Sequence, residues 1–260
     1  FSAVLERCDG FVTTSPTTRA VIERNLPWIA ARPFDVVPHG RDIVAEGPAA
    51  PAGRTPPAPG ETLRVLVLGN INAAKGNLVY RAMAPHAAAL GLEFHALGNW
   101  QGDPIDAPGF VHHGPYRRDD LGRWIAELRP HCGMILSIWP ETYCHTLTEC
   151  WSFGLPVFGF DTGAVGERMA ASGGGWPIGR FDADAVLEAV RAARDDPAGW
   201  AARLDAVRRW NADPDQNPST EVMGRRYLEI YARRVPLGGA GGEAPPGLGR
   251  SVSRRMAPRG

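Results

Sequence analysis

The sequence predicts an α/β protein, a parallel β-sheet with helices on both faces. Three observations carry that prediction. Five short apolar runs, Leu63 to Leu68, Glu93 to Leu97, Phe110 to His113, Cys132 to Ile138 and Pro156 to Phe160, alternate with helix-like segments, and this alternation implies parallel strands joined by crossover helices. A Pro-, Ala- and Gly-rich stretch, residues 46–61, has almost no large apolar side chain and reads as an extended linker. Ahead of it, residues 1–45 contain a short strand, a helix and a second strand, a βαβ-like remnant.

The first strand is the apolar stretch GFVT, followed by TSPTTRAVIERN, a helix with its own capping residues; Phe34 to Pro38 is the returning strand, ending in PHG. After the linker comes the main domain, residues 62–216. Its first strand runs into LGNINAAKGN, where Gly69 permits close backbone approach and Lys75 and Gly76 stand at a helix start. This is neither a P-loop nor G-x-G-x-x-G, because Lys75 precedes its glycine and no Ser or Thr follows. Further on, Leu121, Trp124, Ile125 and Leu128 share one helix face, and Val186 and Val190 share another behind Asp182 as N-cap. Asn217 and Pro218 read as N-cap and first residue of a last helix, 217–234, with Met223, Tyr227, Ile230 and Tyr231 in one stripe. The remaining residues, 235–260, read as a disordered tail.

Composition narrows the function classes. The chain has 260 residues, and its 28 basic and 28 acidic side chains cancel, so no global field draws nucleic acid. No segment approaches the roughly 18 uninterrupted apolar residues of a membrane span, and the arginines of the tail allow peripheral membrane contact at most. The start at Phe1 implies an upstream piece and shows no signal-peptide pattern. The four cysteines have no C-x-x-C spacing and suit a reducing compartment, hence the cytoplasm. His131 beside Cys132 and Cys144 beside His145 lack the ligand spacing of a structural zinc site.

The most informative segment is ETYCHTLTE, with Glu141 on the loop after the strand ending at Ile138 and Glu149 in the first turn of a helix starting near Thr146. Two carboxylates then flank a helix start, where backbone N–H groups and the helix dipole favour a phosphate. A carboxylate accepts hydrogen bonds and suits the vicinal hydroxyls of a ribose or hexose. The expected ligand is therefore a sugar linked to a phosphate. Gly163 and Gly166 in FGFDTGAVGER are expected on a loop near that ligand, and Trp100 and Trp139, each just after a strand, are candidates to line its cleft.

From Phe34 to Arg234 the chain resembles the C-terminal, donor-binding half of the retaining GT-B glycosyltransferases called glycosyl transferases group 1. PHGRDI, LGNINAAKG, HHGPYRRDDL and above all PETYCHTLTECWSFGLPVFGFDTGAVGE carry the resemblance, the last matching the family's E-x7-E region in order and spacing. It implies a GT-B type Rossmann-like domain, with residues 1–45 as a remnant of the acceptor-side domain and 217–234 as the crossing helix. By position, Glu141 resembles the family's first glutamate, at the donor sugar near the reacting centre, and Glu149 the second, on the nucleotide ribose. Lys75 resembles the phosphate-binding lysine, and Tyr143, Cys144, His145, Thr146 and Leu147 occupy the turn and helix start at the sugar and diphosphate. Gly114, Pro115 and Tyr116 resemble the loop that meets the nucleobase. Beside Gly69 the family carries an arginine where this chain has Asn70, and Tyr143 and Cys144 replace small residues, narrowing the space beside the sugar.

The resemblance implies transfer of a sugar from a UDP- or GDP-type nucleotide sugar to an acceptor hydroxyl, on a glycan or a lipid-linked molecule, with retention and with neither cofactor nor metal. Two readings stay open beside it: a non-catalytic nucleotide-sugar-binding or interaction module, and a GT-B-like sugar-nucleotide epimerase. A glycosidase fits less well, since residues eight apart across a loop and a helix start need not face each other across a glycosidic bond.

Overall fold

The computed structural model describes residues 2–43, 45 and 54–234. The first half of the expected linker, 46–53, and the expected tail, 235–260, lie outside the described residues.

The main domain is a six-stranded, all-parallel sheet: β3 (Leu63–Leu68), β4 (Leu92–Leu97), β5 (Phe110–Gly114), β6 (Cys132–Ile135), β7 (Val157–Phe160) and β8 (Gly175–Ile178). Their spatial order is β5-β4-β3-β6-β7-β8. The chain therefore winds outward from β3 to one edge, returns to the middle, and winds to the other. Ligands in such sheets sit beyond the strand carboxyl ends where the winding reverses, here between β3 and β6.

Both faces of β3 are buried, which explains its unbroken apolar run. Leu63, Val65 and Val67 join one core cluster with Tyr80, Met83, Trp176 and Trp200; Leu66 and Leu68 join the other with Leu121, Leu147, Trp151 and Trp210. Helices α3 (Asn77–Ala87), α7 (Ala183–Arg194) and α8 (Pro197–Ala212), with α4 (Leu121–Leu128), α5 (His145–Ser152) and α6 (Gly163–Ser172), supply those apolar faces. Asp182 caps α7 as expected, its Oδ1 accepting from Ala185 N at 2.8 Å. The stripe of α4 buries Leu121 and Ile125.

Ahead of the main domain lie a short helix α1 (Ser2–Leu5), then β1 (Phe11–Thr13), α2 (Pro16–Asn25) and β2 (Phe34–Val36). The two strands pair in parallel, Val12 opposite Asp35. Strands of three residues cannot bury a core, and the unit leans on the rest of the molecule. The last helix, α9 (Thr220–Arg234), packs back against it, with Arg233 and Arg234 reaching Asp35 of β2 at 3.3 and 3.2 Å.

Several expectations need correction. The last helix starts at Thr220, three residues beyond Asn217, because Ser219 Oγ accepts from Val222 N and caps it. In its stripe Ile230 is buried while Tyr231 is exposed. Strand β6 ends at Ile135, short of Ile138, since the chain then turns and Ile138 N donates to Ala74 O. The described part of the linker is anchored to the domain: Arg54 Nε donates to Phe153 O at 3.1 Å, and Arg208 donates to Arg54 O at 3.0 Å. Strand β8 was not foreseen, because Gly175 and Pro177 mask it; an edge position tolerates a proline.

Candidate functional site

At the switch point, the carboxyl ends of β3 and β6 open onto a small cleft lined by Gly69, Asn70, Lys75, Ser137, Glu141 and Thr146. Gly69 follows β3 with φ +104°, and a Cβ there would lie 3.2 Å from Thr146 Cγ2, so glycine lets the strand end approach the start of α5. Asn72 caps the 3-10 turn Ala73–Lys75, accepting from Lys75 N at 3.0 Å, and this aims the lysine into the cleft. Lys75 Nζ is ion-paired with Glu141, whose Oε1 also accepts from Ser137 Oγ. Asn70 is exposed, and its carboxamide oxygen accepts from Asn99 at 2.8 Å.

Glu141 is held from behind. Its carbonyl accepts from Ala164 N at 2.9 Å, and Gly163 (φ +54°) packs so closely that a Cβ would fall 2.6 Å from Glu141 N. Gly163 and Gly166 thus belong to α6 and not to a loop over a ligand; Gly163 lets this helix press against the Glu141 segment, and Gly166 lets it pack against Asp161.

Helix α5 begins at His145 with Cys144 as N-cap, in the left-handed region at φ 68°, and no side-chain hydrogen bond caps it. Cysteine supplies only a weak acceptor, so the positive end of this helix keeps no side-chain partner, and Thr146 brings it to the edge of the cleft. Burial pushes the Cys144 thiol up to about 11, so it stays protonated and unreactive. Leu147 is fully buried in the core cluster with Leu121 and Trp151. Glu149 lies in the second turn of α5, one turn deeper than expected, and is buried. Both its oxygens are engaged, by Tyr116 Oη at 3.0 Å and Arg118 Nε at 3.3 Å. Tyr116 stands on the exposed loop after β5 with Pro115, and Gly114 anchors that loop by accepting from Gly98 N at 2.8 Å. Burial and the Glu149 charge push the Tyr116 phenol well up, keeping it a donor.

Tyr143 does not narrow the cleft. It turns inward, its hydroxyl donating to His39 O at 3.0 Å and accepting from Thr148 at 3.1 Å. Beneath it, Arg168 of α6 donates to the carbonyls of Tyr143 and Cys144 at 2.9 and 3.1 Å and to Thr148 at 2.8 Å. Its guanidinium lies against the rings of Tyr143, Trp151 and Trp210. Trp100 packs behind the cleft-lining Tyr80 and on Phe110, whereas Trp139 is 59% exposed on the loop between β6 and Glu141.

The β1–α2–β2 unit closes one side. His39 packs against the rings of Tyr143 and His145 at 4.9 and 4.8 Å, and Arg41 Nε donates to His145 Nδ1 at 3.2 Å. Thr14 Oγ1 donates to Thr142 O at 2.8 Å, and Glu167 accepts from both the backbone N–H and the hydroxyl of Thr17. Residues that sequence reasoning passed over are Arg41, Arg118, Ser137 and Arg168. The first two stand inside quoted segments, PHGRDI and PYRRDD; nothing in the sequence marks the others.

No protein-family model and no curated protein sequence matches the chain. Solved structures share its fold. Sucrose-phosphate synthase from Thermosynechococcus elongatus superposes with a TM-score of 0.61 at 20% identity, over 89% of this chain and 60% of its own. A glycosyltransferase from Rickettsia africae gives 0.66 at 17% identity, over 87% and 63%, and Anabaena HepE in complex with UDP-glucose gives 0.65 at 12% identity, over 87% and 64%. The chain thus spans less than two thirds of the length of each of these structures. Its fold is that of the GT-B glycosyltransferases.

Proposed function

We propose that the chain is the donor-binding part of a glycosyltransferase that moves a sugar from a nucleotide-diphosphate donor to an acceptor hydroxyl, with retention and without a metal. The observation that carries this reading is the convergence of Lys75, Glu141 and the uncapped start of α5 at the switch point, with Glu149 a turn deeper beside the Tyr116 loop. Breaking an anomeric C–O bond leaves positive charge on the sugar and negative charge on the diphosphate. Lys75 and the helix start meet the diphosphate as preorganised positive charge, the largest kind of stabilisation an active site provides. Glu141, across from Lys75, orients the sugar and faces its developing cation. Glu149 takes the ribose hydroxyls, exchanging its bond to Arg118 or sharing it, and the loop from Gly114 to Tyr116 meets the base. The likeness to structures holding UDP and UDP-glucose supports a nucleotide sugar as partner.

Asn70 favours a second reading, donor binding without turnover, because an uncharged residue stands beside the diphosphate. Calorimetric titration with UDP, GDP and ADP, then with the matching nucleotide sugars, tests the first point. Release of nucleoside diphosphate from the sugar donor in the presence of acceptor glycans, followed by NMR of the anomeric product, tests the second. A folded chain that binds none of the three nucleotides would overturn the proposal. Binding without release would leave the second reading standing.

A further inference from the structure

The cations around the cleft are not equivalent. Lys75 is neutralised by Glu141, and Arg118 by Glu149. Arg168 spends its donors on carbonyls behind the loop. Arg41 differs from all three: its Nε donates to the uncharged ring of His145, and among the described residues no carboxylate pairs with it. It is also held in place. Its backbone N–H donates to Pro218 O at 2.9 Å, the next residue, Asp42, caps Thr220 N at 3.1 Å, and a Cβ on Gly40 would strike the Ser219 carbonyl at 2.4 Å. The segment carrying Arg41 is thereby pinned to the start of α9 while its side chain reaches over the start of α5.

Lys75 and Arg118 are each paired with a carboxylate, whereas among the described residues Arg41 and Arg168 are not, and Arg168 is turned to the carbonyls behind the loop. Arg41 stands at the helix end that lacks a side-chain cap, and Asn70 brings no charge there. We propose that Arg41 is the second diphosphate anchor of this site, supplying from the segment that crosses between the two sheets the charge that Asn70 does not. The proposal rests on the nucleotide-sugar reading above.

Two further features agree with it. Burial and then the nearby Arg118 charge make the Arg41 cation less favourable in the ligand-free protein, a cost that an anion between them removes. The guanidinium is a planar fork that matches two phosphate oxygens at once, which Asn70 cannot do. Because Arg41 arrives with the β1–α2–β2 unit, donor affinity would also report on how that unit is seated against α5.

The test is calorimetric titration of UDP and GDP into the unchanged chain, Arg41→Ala, and Arg41→Ala combined with Asn70→Arg, at low and moderate salt, with uridine and guanosine as probes lacking phosphate. The expected result is a loss of about tenfold in nucleoside-diphosphate affinity for Arg41→Ala, a weaker salt dependence, unchanged affinity for the nucleoside, and recovery in the combined variant. Arg41→Gln serves in place of the alanine variant if the latter melts early. Equal diphosphate affinity in the unchanged chain and the Arg41 variants would overturn the inference while leaving the nucleotide site intact. Failure of the unchanged chain to bind any nucleotide would overturn both.

Discussion

Tyr116 donates its phenolic proton to Glu149 Oε2 at 3.0 Å, tying the loop after β5 to the second turn of α5. The pair joins two elements that belong to different halves of the winding sheet. A hydrogen bond to a charged acceptor contributes about 1.5–3 kcal/mol. Tyr116→Phe keeps the ring and the Arg118 contact, so a modest fall in melting temperature is expected, roughly 2–4 °C for each kcal/mol in a chain of this size. Glu149→Ala removes both bonds and leaves the half-buried Tyr116 hydroxyl without its acceptor, and should melt several degrees lower still. Thermal melts that coincide for all three proteins would show that the bond is worth nothing.

Lys75 and Glu141 neutralise one another in the absence of donor, so the two substitutions should not act alike on binding. Lys75→Ala removes a charge-assisted contact to the diphosphate and should weaken UDP or GDP binding by about tenfold or more. Glu141→Ala frees the lysine and should leave the affinity for the bare diphosphate equal or tighter while abolishing sugar release. Calorimetry on both variants, beside a turnover assay on the second, separates these effects; an equal loss of nucleotide affinity in the two would contradict this division of roles.

Arg168 holds the inward face of the site. Arg168→Met preserves packing against Trp151 and Trp210 but removes the guanidinium donors to the carbonyls of Tyr143 and Cys144 and to the Thr148 hydroxyl. Losing a hydrogen bond from a charged donor costs about 1.5–3 kcal/mol, so a loss of about 2 kcal/mol is expected in urea unfolding. A midpoint within error of the unchanged protein would mean that water replaces the guanidinium without penalty.

Burial and the Arg41 charge hold His145 down at about 4, below the ordinary 6.5. The unfolded chain takes up a proton as the pH falls below about 6.5, whereas the folded one resists it, so the stability from this group is complete above 6.5 and is lost on descending towards 4. The residue is only partly covered, so salt and solvent shrink the effect. His39 and His131 are also lowered, chiefly by burial, and add to the same decline. His145→Gln should therefore show a shallower fall in melting temperature between pH 7 and pH 4.5 than the unchanged chain, recorded in parallel scans. Parallel profiles would remove His145 from the account.

Much of this architecture was legible because it rests on local rules. The run Leu63 to Leu68 could be read as a buried strand because both its faces are apolar, and Asp182 could be read as a cap because its spacing to Ala185 is local. Gly175 and Pro177 hid β8, whose place on the sheet edge follows from pairing with β7 and not from its own propensity. Glu141 and Glu149 stand out in the sequence by their spacing, and Lys75 through the family resemblance, yet their partners do not. Ser137 and Arg118 resemble any surface residue until the turn after β6 and the loop after β5 bring them to the carboxylates. Tyr143 shows the opposite failure. Its bulk pointed to a narrowed cleft, but the hydroxyl of Thr148 and the carbonyl of His39 draw it inward, and those contacts span up to 104 residues.

The contact of Arg233 and Arg234 with Asp35 joins residues 198 and 199 positions apart. During synthesis at about 5–20 residues per second, β2 leaves the ribosome roughly 10–40 s before the helix that covers it exists. For that interval the β1–α2–β2 unit has no α9 to lean on, and for about the first two thirds of it no Glu167 either. How quickly translation reaches the last helix therefore bears on the yield of native protein, and synonymous codons placed before residue 220 offer a means of changing that yield without altering a single side chain.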